Sequence, residues 1–194
     1  MKTDLAYLVG ALRDGSVYYD KSRNYKVIWY ENNRLWLENS ISKRVCAIFG
    51  KKPILDEYKT NHFRVVLCSR NAYNIIKSEF EFVAPQEKWN TPKPIKESSD
   101  DIIATYVAGF FDAEGDVNCK KYMIGFSQKN METLEFIKDW LNRNSIKTSK
   151  IFVADKESGT KRFYMTSKEN FHKFRELVKF EHPDKVKRYG FLLQ

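Results

Sequence analysis

The chain has 194 residues, a formal net charge of +9 and 42% hydrophobic residues, enough for one compact domain or two small ones sharing a core. It has no apolar run long enough to cross a bilayer, and its N-terminus lacks the small-residue cleavage pattern of a signal peptide. A soluble, intracellular protein is expected, cytoplasmic or nucleoid-associated, or organellar in a eukaryote. Cys46, Cys68 and Cys119 are odd in number and widely spaced, and the histidines are scattered. This excludes a disulfide framework and a structural zinc, and predicts reduced cysteines buried as small hydrophobes. The positive charge favours a polyanionic partner, because each neutralised phosphate releases counterions.

Read in chain order, the first element is an apolar helix ending at Asp14-Gly15. Strands follow near Ser16–Tyr19 and Tyr25–Tyr30, then a helix from about Asn33 to Phe49. Residues 85–94, PQEKWNTPKP, form a proline-rich polar linker in which Trp89 is expected to be a packing anchor. Ser98-Ser99-Asp100-Asp101 offers N-cap chemistry to a second apolar helix, Ile102 to Ala113, ending at Glu114-Gly115. Strands near Asp116–Cys119 and Tyr122–Gln128 are joined by a tight Lys120-Lys121 turn. Asn130 caps a helix with Leu134, Ile137 and Leu141 on one face. Two further strands, near Lys150–Ala154 and Arg162–Thr166, precede a helix capped by Ser167 and carrying Phe171, Phe174 and Val178.

The chain therefore reads as two copies. Residues 5–17 answer residues 105–117, Trp29-Tyr30-Glu31-Asn32 answers Ser127-Gln128-Lys129-Asn130, and Ser69-Arg70-Asn71-Ala72-Tyr73 answers Ser167-Lys168-Glu169-Asn170-Phe171. Both first helices end in an acid and a glycine. The glycine suits a left-handed helix stop, but an acid at the negative end of a helix dipole is costly. Two such carboxylates side by side call for a divalent cation between them.

Val107-Ala108-Gly109-Phe110-Phe111-Asp112-Ala113-Glu114-Gly115 resembles the signature nonapeptide of the LAGLIDADG homing endonucleases, and residues 8–15 resemble the degenerate first motif of the monomeric two-motif members. The resemblance spans essentially the whole chain. It implies an α+β fold of two pseudo-twofold-related αββαββα repeats, residues 1–84 and 101–194 joined by 85–100, whose antiparallel sheets form a DNA-binding saddle. It implies a monomeric endonuclease making a metal-dependent double-strand break in a long, nearly asymmetric duplex. Asp14 and Glu114 would hold two or more Mg2+ ions, with Gly15 and Ala113 beside them, and Gln128, Lys129 and Lys120 would complete the catalytic set. Asp112 is expected to serve structure or solvent contacts rather than the metal. Arg23, Lys26, Tyr18, Lys121, Lys161 and Arg162 are candidate DNA contacts, since a β-ribbon fits the major groove.

The first copy departs from the pattern twice. Gly10 lies one residue nearer its acid than Gly109 does, which predicts asymmetric helix packing with Val9 at the contact. Tyr30-Glu31 stands where the second copy has Gln128-Lys129, which predicts unequal cutting of the two strands, with a lysine or arginine from elsewhere compensating in part. Rival readings are an RNA maturase, which would bind intron RNA, and a non-catalytic DNA-binding regulator. An intein-embedded form is not expected, since neither end carries splicing residues.

Overall fold

The computed structural model describes residues 2–20 and 24–193. The expected order of elements is present in both halves. The first contains α1 (Thr3–Ala11), β1 (Gly15–Tyr19), β2 (Tyr25–Glu31), a long helix that runs through α2 (Arg34–Trp36) into α3 (Lys43–Phe49), β3 (Ile54–Lys59), β4 (His62–Cys68) and α4 (Arg70–Asn74). The second contains α6 (Asp100–Glu114), β5 (Gly115–Asn118), β6 (Met123–Gln128), α7 (Met131–Arg143), β7 (Phe152–Asp155), β8 (Thr160–Met165) and α8 (Lys168–Leu177). Two antiparallel four-stranded sheets result, ordered β1-β2-β4-β3 and β5-β6-β8-β7. The caps expected at Asn130 and Ser167 are present, and Asn33 and Ser69 do the same in the first half: each accepts a backbone N–H three residues on.

The linker is more structured than its composition suggests. It holds a 3-10 turn at Gln86–Lys88 and a short α5 (Lys93–Lys96). Trp89 is buried as expected, donating Nε1 to the Phe80 carbonyl at 2.8 Å, with the Arg13 guanidinium 4.2 Å from its ring centroid. A further helix, α9 (Pro183–Leu193), extends the second half and packs along β5. Its amphipathic pattern was not singled out in the sequence.

The two halves meet along α1 and α6. A Cβ on Gly10 would lie 2.1 Å from the Tyr106 carbonyl oxygen, and one on Gly109 would lie 2.1 Å from that of Tyr7. Only glycine permits this approach. The glycine contacts across the seam are thus reciprocal, contrary to the asymmetric packing expected, and Val9 is fully buried beside Gly10. The missing residue is absorbed further on. The chain leaves α1 through a 3-10 turn, Leu12–Asp14. Three residues at about 2.0 Å rise advance as far as four at about 1.5 Å, so Asp14 comes level with Glu114.

Two other expectations need correction. Gly15 and Gly115 are extended, with φ of −145° and −83°, not left-handed. Each leads straight into a strand, and a Cβ there would strike Leu12 or the ring of Phe111. The three cysteines are free and exposed rather than buried. Cys46 lies on the outer side of α3, Cys68 ends β4, and Cys119 enters the β5–β6 turn. No helix among the described residues is long and apolar enough to cross a membrane.

Candidate active site and DNA-binding face

The two signature helices deliver Asp14 and Glu114 to one cavity of about 380 Å³, lined also by Arg13, Gln86, Glu87, Gln128 and Lys129. Burial and the nearby Glu31 charge push the Asp14 carboxyl up to about 6, opposed by Lys185. Burial and Asp14 push Glu114 up to about 7, opposed by the Gln128 hydrogen bond, Lys185 and Arg13. Two buried acids, the first raising the proton affinity of the second, fit a site whose natural occupant is a cation. Among the described residues, no three His, Cys, Asp or Glu side chains converge as a complete cage. Hard-cation chemistry accepts that, because Mg2+ keeps several waters and takes only one or two carboxylates besides phosphate oxygens.

The neighbours of Glu114 are as expected. Gln128 donates Nε2 to Glu114 Oε1 at 3.0 Å, and Lys129 lines the cavity with its Nζ 3.6 Å from Glu87. Lys120 is not brought there: it occupies the turn at the far end of the β5–β6 hairpin, whose near end is Gly115 paired with Phe126. The Gly15 carbonyl accepts from Gln86 Nε2, while Ala113 sits half-buried in the last turn of α6.

Sequence reasoning missed Lys185. This residue of α9 is buried and donates Nζ to the carbonyls of Phe111 and Asp112, both at 2.7 Å. Burial lowers its proton affinity, and Asp112, Glu31 and Glu114 oppose that shift. It places a cation against the negative end of α6, beneath Glu114. A lone lysine after His182-Pro183-Asp184 carries no periodic signal, so only the packing of α9 reveals it. Asp112 is structural as expected: fully buried, it accepts from Tyr7 Oη at 2.5 Å and from the backbone N–H groups of Glu181 and His182. These bonds tie the segment leading into α9 to the seam.

The register of the strands corrects the alignment of the two copies by one residue. Trp29 pairs with Gly15 as Phe126 pairs with Gly115, and Asn33 and Asn130 are the matching caps. The counterpart of Gln128 is therefore Glu31, and that of Lys129 is Asn32. Sequence similarity alone chose the neighbouring offset because the serine caps, Ser69 and Ser167, do stand 98 residues apart. A second cavity, about 530 Å³, opens on this side of Asp14 and is lined by Tyr30, Glu31, Asn32, Tyr58 and His62.

Alternation along the strands sets the other face of each sheet. Tyr18 and Lys26 are paired across β1 and β2, the lysine 2.8 Å from Asp20 and its Nζ 5.8 Å from the centroid of the Tyr18 ring. Arg64 is bidentate to Asp56 on β3. In the second sheet Arg162 reaches the other way, across Gly125 to Asp116 at 2.6 Å. Lys121 shares a cavity with Arg162, Phe152 and Tyr164. Lys161 turns toward the strand end, donating to the Lys129 carbonyl at 3.1 Å. Arg23 lies outside the described residues. At the opposite end of the signature helices, a cavity beside Asp4 and Asp101 is crossed by Arg44, which pairs with Asp4 and Glu181, and holds none of the site residues.

Residues 101–179 match the family described as LAGLIDADG-like domain. The chain is 34% identical to the homing endonuclease I-ApeI of Aeropyrum pernix over 195 residues, covering 97% of this chain and 86% of that one. Among solved structures, it resembles mesophilic variants of the homing endonuclease I-DmoI with a TM-score of 0.73 at 18% identity, over 95% of this chain and 96% of the other. It matches I-DmoI in complex with DNA and Ca equally well, at 16% identity and the same coverage.

Proposed function

The chain belongs to the LAGLIDADG family of homing endonucleases, and from that premise we propose that it binds one long DNA duplex and makes a site-specific, divalent-metal-dependent double-strand break. The observation that carries this reading is the convergence of Asp14 and Glu114, one from each half, on a single cavity beside the linker and the end of β6. Both motifs lie in one chain, so the centre is complete in a monomer.

Asp14 and Glu114 would hold Mg2+, which when bound supplies an activated water and offsets charge on the departing oxygen. The remaining roles belong to the protein. Gln128 fixes the Glu114 carboxylate, Lys185 sets a positive charge under it, and Lys129 faces the arriving phosphate from the rim. Lys26, Lys121 and Arg162 lie on the strands and turns of the concave surface, where cationic and aromatic side chains contact phosphates and base edges. Lys161, turned to the Lys129 carbonyl, braces the strand end instead of reading bases.

The test is incubation of the purified protein with Mg2+ and a plasmid in which the sequences flanking its gene are rejoined. A linear product that requires the metal supports the reading. Asp14→Asn and Glu114→Gln should each lower cleavage by roughly a thousandfold or more while a gel shift still shows binding. Equal loss of binding would make the acids structural, and specific binding without any cleavage by the unaltered protein would make it a regulator.

A further inference from the structure

Resting on the endonuclease reading above, we propose that Glu31 sets the order in which the two DNA strands are cut, by handicapping the half of the centre that contains Asp14. Between the residue facing the post-helix glycine and the capping asparagine, each half has three residues: Tyr30-Glu31-Asn32 and Ser127-Gln128-Lys129. Their middle members are equivalent in the backbone and opposite in chemistry. Gln128 has an amide proton to give and donates it to Glu114. Glu31 as a carboxylate has none.

Glu31 is also held in place. Its Oε1 accepts the Asn32 backbone N–H at 2.6 Å, and its Oε2 lies 3.8 Å from Nε2 of His182. His182 is itself 5% exposed, its ring tilted against that of Trp36 with centroids 5.6 Å apart, and its Nδ1 has no partner. The backbone bond and the wall formed by His182 and Trp36 keep the carboxylate beside Asp14 rather than out in solvent. The cavity on this side is lined by Asp14 and Glu31 with no lysine or arginine, whereas the cavity that Asp14 shares with Glu114 carries Lys129 on its rim beside Glu87, its Arg13 being turned to backbone carbonyls. A phosphodiester entering the first meets two carboxylates, and like charges at close range repel. The strand lying over the end of β2 is therefore cut second, and a nicked duplex accumulates.

The experiment measures single-turnover cleavage of a target labelled on one strand or the other, resolved on denaturing gels. Glu31→Gln should accelerate the lagging strand by about three- to tenfold, leave the leading strand within about twofold, and deplete the nicked intermediate. Gln128→Glu should slow the other strand by a similar factor, which keeps the idea testable if the first variant folds poorly. A ratio of strand rates that neither substitution moves overturns the proposal. So does a parallel fall of both rates in Glu31→Gln, because a merely structural glutamate acts on both strands alike. A protein that cuts no DNA overturns the endonuclease reading itself; one that cuts with an unmoved ratio overturns the role of Glu31 alone.

Discussion

The two halves share a backbone plan and differ in charge. Around Glu114 stand an amide donor and a rim lysine, and the buried lysine beneath the end of α6 acts on both acids. Around Asp14 stand a second carboxylate, an asparagine and two tyrosines, while the helix end is met by neutral Gln86 and Arg13 turns away to the carbonyls of Trp89 and Asn90. Duplication preserved what geometry demands at the seam and let the surroundings of each acid diverge. A pseudo-symmetric fold thus carries an unsymmetric centre.

The seam is where the halves are most alike, and breaking it should have the largest effect. Gly10→Ala and Gly109→Ala each drive a methyl into a carbonyl across the interface. Each should cost about 3 kcal/mol or more, lowering the unfolding midpoint by roughly 6–12 °C in a thermal melt. Similar losses for the two would sustain the reciprocal packing, and a mild effect of one alone would refute it.

His182 belongs to the second half and presses on Glu31 of the first. Burial depresses its imidazole from 6.5 to about 4. Between those values the unfolded chain binds more protons than the folded one, so this stabilisation is present above pH 6.5 and lost as pH falls toward 4. In His182→Phe, the drop in stability from pH 6.5 to 4 should shrink by about 2–3 kcal/mol, measured by denaturant titration at both values. An unchanged drop would mean that other groups govern acid unfolding.

The helix-end partners sharpen the comparison in activity. Lys185→Met should slow cleavage about tenfold, whereas Gln86→Ala, its neutral counterpart, should cost less than about threefold. Lys185→Met should also lower the melting temperature, because the buried carbonyls of Phe111 and Asp112 lose their donor, so cleavage is compared well below the melts of both variants. Equal kinetic effects would erase the distinction between the halves.

The smallest effect concerns the concave face. Where the second sheet has Gly125, the first has Ile28, and Arg64 accordingly pairs outward with Asp56 while Arg162 crosses inward to Asp116. Gly125→Ala should displace Arg162 with a stability change within about 0.5 kcal/mol, yet weaken binding to the target a few-fold in a gel shift. Unaltered affinity would remove Arg162 from the recognition surface.

Much of this molecule is legible in the order of its residues. The repeated helix-acid-glycine, the caps at Asn130 and Ser167, and the alternation of the strands depend on local spacing, and local spacing survives without knowledge of the fold. The paired acids are readable for the same reason: a carboxylate at the wrong end of a helix, twice, conflicts with the helix dipole wherever the chain goes next. Tertiary structure alone decided the rest. The 3-10 turn that brings Asp14 level with Glu114 answers to helix packing, and the pairing of Glu31 with Gln128 answers to strand register. Lys185 becomes part of the site only because α9 folds back against the end of α6, seventy-odd residues upstream. Long-range contacts of that kind leave no period in the sequence, so the two acids and the extra carboxylate on the Asp14 side could be read from it, while the pairing of Glu31 with Gln128 and the lysine under the end of α6 could not.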